Sequence, residues 1–343
     1  MLQDLTILAN GVAAGLFGLT SALFLFVFKH NRLRVVLGVI LAVYTLYLLK
    51  DIMYLYGPVA SDEYLYRVLL SIDSWAVPLY VIYAFEVIAP GRMTVGRAML
   101  LLVPFPALTV LYACWPSELM CDVQVAFASV FSFLCMCAVL GLTVRYRRRL
   151  KENRSDISNM DVRWMWVSIG LFLPNLVLWT IITTRVDYIM DAYYYISLSL
   201  SWGIVAYHTY YYVPLDEREL MPEPLAAGGG RVFPQKLEKL AAEGYFVHSP
   251  RLTLTELASE LGTNRTTLSN YLNQELGTTF YDYINGYRVV EAERLLSDAA
   301  CAYSAEQLAE LSGFNSLSTF RRAFSKKHGM SPQQYRERVL RER

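Results

Sequence analysis

The 343-residue chain lacks most of what catalytic and metal centres are built from. Its four histidines, His30, His208, His248 and His328, are scattered. There is no G-x-S-x-G, H-E-x-x-H or P-loop string, so the sequence gives no ground for a serine hydrolase, a zinc protease or a phosphate-cradling enzyme. A histidine-kinase-like receptor is excluded by the lack of a phosphoacceptor or nucleotide-binding pattern. The five cysteines, at 114, 121, 135, 137 and 301, have no zinc-type spacing, and Cys135-Met136-Cys137 lies in an apolar run where packing thiols are expected. No metal, cofactor or enzymatic activity is expected. Charged residues make up only 18% and the net charge is +1, so global charge says nothing about nucleic acid. Met1–Asn10 has no basic stretch of the kind that opens a cleavable signal peptide. No heptad zipper links the last apolar run to Leu252.

What the chain has is apolar length. Hydrophobic residues make up 55% and mean hydropathy is +0.31, too apolar for an ordinary soluble protein. The excess stops at Asp216. Before it, seven runs are near the ~20 residues a spanning helix needs: 5–28, 33–56, 67–89, 98–115, 122–144, 164–184 and 190–213. Bases fall in alternate loops: Lys29, Arg32 and Arg34 in the first, Arg92 and Arg97 in the third, and seven between Arg145 and Arg163 in the fifth. The even loops pair Arg67 with Asp62 and Glu63, hold Glu118 and Asp122 without a base, and pair Arg185 with Asp187 and Asp191. The positive-inside rule then places the odd loops in the cytoplasm, the N-terminus outside and the C-terminus inside. The expected location is the cytoplasmic (inner) membrane, with the lipid bilayer as a partner. Tyr193–Tyr195 and Tyr210–Tyr212 bracket the last run as an aromatic belt would.

Ionisable or amide groups at membrane depth default to a functional reading. Asp73, Glu86 and Asn175 are the candidates for a signal site, and Lys50-Asp51 could pair locally; interhelical hydrogen bonding is the structural alternative for each. Pro78, Pro104, Pro106 and Pro174 are expected to kink helices. Cys114 and Cys121 flank a short loop, extracytoplasmic on this topology, where disulfides persist. A bridge between them is one reading, and two free thiols at span ends the other.

The polar third divides into a Pro/Gly linker, 216–231, and a domain, 232–343, where Phe233–Glu243 is expected to be helical. Two helix–turn–helix units follow, at 253–276 and 304–328. The first has a Thr253/Glu256 capping box, an inner face of Leu257, Ala258 and Leu261, a turn at Gly262, a cap at Asn264, and a helix Arg265–Glu275 stopped by Gly277. The second repeats this with Ser304/Gln307, Leu308, Ala309 and Leu311, Gly313, a cap at Asn315, packing residues Phe320 and Phe324, and Gly329. Ala258 and Ala309 are 51 positions apart, and the second turn is one residue longer. The amphipathic segment Phe280–Ser297 joins the units, at a separation suited to about one DNA turn.

The string Leu276-Gly277-Thr278-Thr279-Phe280-Tyr281-Asp282-Tyr283-Ile284-Asn285, the Arg288 and Ala292 pair, and Gly313-Phe314-Asn315-Ser316, Phe320, Phe324 and Gly329-Met330-Ser331-Pro332-Gln333-Gln334-Tyr335-Arg336 resemble the DNA-binding domain of the AraC/XylS family of transcription regulators. The apolar half is similar, less specifically, to many-span sensors fused to such domains in Bacteroidetes-type bacteria. Gly286 departs from the family, which has a helix former there. The resemblance implies an all-α protein: a seven-transmembrane-helix bundle (1–215) followed by a tandem helix–turn–helix domain. It implies base contacts from Thr266, Ser269 and Asn270 in the first reading helix and Leu317, Ser318, Thr319 and Arg322 in the second. Arg322 suits guanine and Asn270 adenine, whereas Leu317 offers only apolar contact. Arg265, Arg321 and Lys326 are expected on phosphates, and Arg288 is expected inside the fold. The function expected is a membrane-bound one-component regulator of transcription that binds double-stranded DNA, senses a small-molecule or membrane-borne signal and acts as a homodimer. The alternative is a membrane transporter or enzyme with a regulatory DNA-binding tail, for which neither matching repeats nor a convergent catalytic set is evident.

Overall fold

The computed structural model describes residues 2–55, 62–182, 188–213, 233–297 and 303–341. The expected linker 216–231, Arg185, Asp187 and Cys301 lie outside the described residues. Every element described is helical, and the one extended pairing among the described residues is an isolated antiparallel bridge between Arg154 and Thr253. The chain divides into two compact units, Met1–Val144 with Val162–Pro214, and Arg145–Asp161 with Leu215–Arg343. A boundary near 215 would leave Arg145–Asp161 with the apolar half; it clusters instead with the C-terminal unit.

The first unit contains α1 (Leu2–Ala22), α2 (Arg32–Leu55), α3 (Glu63–Asp73), α4 (Val77–Ile88), α5 (Val95–Leu102), α6 (Pro104–Cys114), most of α7 (Glu118–Asn153), α8 (Trp164–Ile182) and α9 (Tyr188–Tyr211). Proline shapes them as its missing N–H dictates. Pro78 opens α4 after a 3-10 turn at Ser74–Ala76, Pro104 opens α6, and Pro174 lies within α8. Among the described residues, six helical stretches are long and apolar enough to cross a bilayer, by length and composition: Gln3–Val27, Arg32–Met53, Glu63–Ile88, Val95–Cys114, Glu118–Asn153 and Trp164–Ile182. The expected seventh, α9, has 24 residues but is less apolar, because tyrosines, serines, Asp191 and His208 take the place of aliphatics. It still belongs to the core of this unit. Trp202 is 1% exposed, with the rings of Tyr44, Tyr80, Tyr83 and Phe172 at 5.1–6.4 Å. Large apolar side chains such as Leu19, Phe26 and Leu100 face outward. Cys114 and Cys121 are free thiols in this structure, which accords with the second of the two readings. Each sits in its own helix: Cys114 closes α6, while the Cys121 amide donates to Ser117 O in the first turn of α7 (3.1 Å).

The second unit holds two small cores joined by one helix. Its elements are α10 (Phe233–Ala242), α11 (Tyr245–His248), α12 (Leu254–Glu260), α13 (Arg265–Asn270), continued by a π-turn at Tyr271–Glu275, α14 (Phe280–Leu296), α15 (Ala305–Leu311), α16 (Leu317–His328) and α17 (Pro332–Arg341). The first core gathers Leu237, Phe246, Leu257, Ala258, Leu268 and Leu272 on the N-terminal half of α14, through Phe280 and Ile284. The second gathers Leu308, Ala309, Phe314, Phe320 and Phe324 on its C-terminal half, through Val289, Ala292 and Leu296. Ala258 and Ala309 are both buried, as the duplication implies. Both capping boxes form. Arg288 is fully buried in α14, where Nε donates to Phe246 O (2.9 Å), Nη2 to Ser249 O (2.6 Å) and Nη1 to Asn285 Oδ1 (3.1 Å). A buried guanidinium is tolerable only with such a set of acceptors, and the price is a pKa pushed down by burial to about 10.

Candidate nucleic-acid interface

The two reading helices begin differently. Asn264 caps α13, its side chain accepting from Thr267 N. The expected cap at Asn315 is displaced by one residue: Ser316 caps α16 and accepts from Thr319 N. The longer second turn moves the cap along and leaves the Asn315 amide free to bond elsewhere.

On α13, Thr266 and Asn270 are exposed and Ser269 is half-buried. Ser269 accepts from Asn273 Nδ2 through its carbonyl (2.9 Å) and its hydroxyl (3.2 Å). On α16, Ser318 and Arg321 are exposed. Leu317 is half-buried and packs on the second core, so its side chain serves the fold more than an apolar base contact. Lys326 pairs with Asp282 at 2.8 Å, which ties down one of the bases expected on phosphate. Nearby, Glu293 of α14 accepts from both Lys327 and His328 (2.6 Å each). Partial burial pushes its carboxyl up, but those two partners outweigh it and the pKa is lowered.

The remaining readers are engaged by a segment that motif reasoning passed over. Asn153, which ends α7, takes Arg265: Arg265 Nε donates to Asn153 Oδ1 (2.9 Å). Asp156 takes α16: Thr319 Oγ1 donates to its Oδ1 (2.8 Å) and Asn315 Nδ2 to its Oδ2 (2.6 Å). Asp161 takes Arg322, whose Nη1 lies 3.3 Å from Oδ2, while Arg147 Nε holds Oδ1 at 2.9 Å. Thr319 is fully buried as a result, and Asp161 is 7% exposed. Burial pushes the Asp156 carboxyl up, yet the donors Asn315, Thr319 and Ser158 win and hold it below the ordinary carboxylate value.

The segment is seated by neutral contacts as well. Ser155 is fully buried; its N–H and hydroxyl both donate to Leu252 O (3.3 and 2.8 Å), and its carbonyl accepts from Asn285 Nδ2 (2.8 Å). Ile157 is fully buried too. Buried polar atoms here are thus satisfied by the segment, as buried groups require. The only local hint in the sequence is Asp156-Ile157-Ser158, where the carboxylate accepts from the Ser158 N–H two residues on (3.1 Å), an Asx-type turn.

Of the three residues expected to form a signal site, two come together. Asp73 and Asn175 line one cavity of ≈ 90 Å³ in the first unit, with Tyr44, Tyr80, Trp179 and Tyr194 among its walls. That is room for about three waters at bulk volume. Asn175 Nδ2 donates to Leu171 O (3.0 Å) and Ser201 Oγ (2.9 Å), while its Oδ1 and Trp179 Nε1 are buried without a partner. Lys50 bridges Asp73 (2.7 Å) and Asp51 (2.9 Å), and Asp51 accepts from Tyr195 OH (3.1 Å). Glu86 stands apart from this cluster. It accepts from Arg32 Nε (2.7 Å) and from the Gly91 N–H (3.2 Å), which makes it a structural tie between the start of α2 and the turn after α4.

Residues 257–338 match the model of a helix-turn-helix domain family, of the AraC type. The match supports DNA-binding transcription regulation by this part of the chain. Among solved structures, the C-terminal domain of the two-component response regulator yesN from Fusobacterium nucleatum is similar, at 26% identity over 30% of this chain and 96% of that one, with a TM-score of 0.27. No curated protein sequence matches.

Proposed function

We propose that the chain is a membrane-bound one-component transcription regulator, sitting in the cytoplasmic membrane with its N-terminus outside and its helix–turn–helix domain in the cytoplasm. The observation that carries this is the presence, in one chain, of a helix-turn-helix domain over 257–338 and six long apolar helices. The outward-facing leucines and phenylalanines support lipid as the surrounding medium, since water would penalise so many. Although α9 falls short of the other six in hydropathy, it serves as the seventh span, because Ile196 and Leu200 face outward while Tyr195, Leu198 and Trp202 pack into the unit. Its Thr209 is hydrogen-bonded to Tyr83 (2.6 Å), and Tyr188 O accepts from Thr6 Oγ1 (2.6 Å). An odd number of spans agrees with the alternation of loop bases. The cavity between Asp73 and Asn175 is the place for a signal to act, since it combines a carboxylate, an unpaired amide oxygen and aromatic walls. Pairing of two copies falls to the bundle.

Two measurements test this. The full chain in lipid nanodiscs, offered random-sequence duplex DNA, should enrich a defined motif. Reporter fusions at Arg343 should report the cytoplasm. Absence of any enriched motif, or a periplasmic Arg343, overturns the reading.

A further inference from the structure

We propose that Asn153–Asp161 is a built-in competitor for DNA, which holds the second unit in a form that cannot read bases through Thr319 and Arg322 of α16. The proposal rests on the regulator reading above. Four side chains assigned to DNA by the family resemblance or by their place at the reading helices are engaged by this one segment: Arg265 by Asn153, Asn315 and Thr319 by Asp156, and Arg322 by Asp161. Its chemistry is that of the ligand it replaces. A carboxylate offers the same anionic oxygens as a phosphate, and the paired oxygens of Asp156 accept from an amide and a hydroxyl as base-edge acceptors would. With Nη1 on Asp161, the end-on Nη1/Nη2 fork of Arg322 is not available to a guanine, nor can Thr319 touch a base while it is fully buried. Both helices are engaged at once, but unequally: Asn153 takes only Arg265, expected on phosphate, at the start of α13, whose Thr266 and Asn270 stay exposed, while Asp156 and Asp161 take base readers of α16.

The segment is also well placed to be released. It is the direct covalent continuation of α7 and runs into α8, which opens at Trp164. Its hold on the domain is polar rather than a sealed apolar interface: Ile157 is its one large buried aliphatic between Arg154 and Asp161. Polar contacts of this kind exchange for contacts to DNA or water at small net free-energy difference. Binding of DNA and docking of the segment are then mutually exclusive, and a signal that disfavours docking raises DNA affinity by the population it frees.

The test uses the full chain in nanodiscs and a duplex enriched from the random pool, followed by fluorescence anisotropy. The double variant Asp156→Ala, Asp161→Ala should bind that duplex at least tenfold more tightly than the native chain. Affinity within twofold of native, in a chain that still loses binding on Arg322→Ala, overturns the competitor while leaving the regulator reading standing. If neither the native nor the double variant prefers any sequence, the regulator reading falls and takes the competitor with it. A converse variant does not depend on how the alanine chain folds. Asp156→Cys with Asn315→Cys places two thiols where a 2.6 Å hydrogen bond now stands. Oxidised, this chain should bind at least tenfold more weakly than after reduction, whereas the native chain, with its own cysteines, should not respond. Equal binding in the two redox states overturns the proposal.

Discussion

The equivalent glycines of the two turns, Gly262 and Gly313, should respond very differently to alanine. Both have left-handed backbone, with φ of +69° and +83°, and an alanine Cβ there costs about 1–2 kcal/mol. Loss of unfolded-state freedom returns about 0.4–1 kcal/mol, so Gly262→Ala, with open space around it, should cost about 1 kcal/mol. Gly313 has no such space. A Cβ would fall 2.3 Å from Val247 O, 2.6 Å from its Cα and 2.8 Å from its carbonyl carbon. That backbone cannot easily retreat, since Arg288 binds the carbonyls of Phe246 and Ser249 on either side of it. Overpacking that flexible side chains can absorb costs about 1–3 kcal/mol, and fixed backbone is worse, so Gly313→Ala should cost about 3–5 kcal/mol in all. Against a domain stability of about 5–15 kcal/mol, that is enough to open α15 and α16 appreciably. Native-state hydrogen exchange, read by mass spectrometry on the full chain in nanodiscs, would measure both opening free energies. Losses equal within about 0.5 kcal/mol would refute the assignment of the close approach to Gly313 alone.

Arg322→Ala should weaken binding to the preferred duplex by about 1–3 kcal/mol and relax one base position; an equal loss on random duplex would argue against base readout. Gly286→Ala should stabilise the second unit by about 0.5–1 kcal/mol, because the site lies within α14 and a Cβ there meets nothing within 4 Å; slower exchange of α14 amides is the readout, and faster exchange would contradict it. The ordinary pKa of Glu293 is 4.5, and its folded value is lowered by Lys327 and His328. Its stabilising contribution is therefore complete above about 4.5 and lost as pH falls through the lower folded value. Glu293→Gln should remove that part of the acid dependence followed by near-ultraviolet circular dichroism, and an unchanged acid transition would show the pairing to be inert.

Local chemistry made the helix–turn–helix units readable. Capping boxes, positive-φ glycines and the alanine repeat each have a short-range cause, and each appears where the spacing puts it. The same is true of Arg288, which had to be interior once its neighbours in the string were assigned to α14. An error arose where two solutions differ by one residue. Asn315 and Ser316 are both good caps, and the extra residue in the second turn decided for Ser316. For Cys114 and Cys121 the sequence left a bridge and free thiols both open, and each sits within its own helix. Hydropathy located the long apolar helices, yet it undervalues a helix such as α9, whose buried face includes Tyr195, Ser201, Trp202 and Thr209. The docking of Asn153–Asp161 left no periodic or motif signature, because it depends on two isolated acids whose partners are about 160 residues away.

Charge illustrates how much that docking changes. Residues 216–343 alone carry 16 Lys and Arg against 17 Asp and Glu, a poor balance for a DNA-binding domain. Residues 145–161 add six bases and three acids, so the unit as folded has a net charge of +2. Two of the three acids face the readers, while Arg148 and Arg149 of the same segment are exposed. Long-range attraction to phosphate and short-range access to bases are thereby governed by one stretch of chain, but by different residues in it. Replacing Arg148 and Arg149 with Gln should flatten the salt dependence of binding, by a slope of about 0.9 for each phosphate that is no longer neutralised, without altering the preferred motif. A changed motif with an unchanged slope would mean that these arginines read bases and that the division of labour within the segment is wrong.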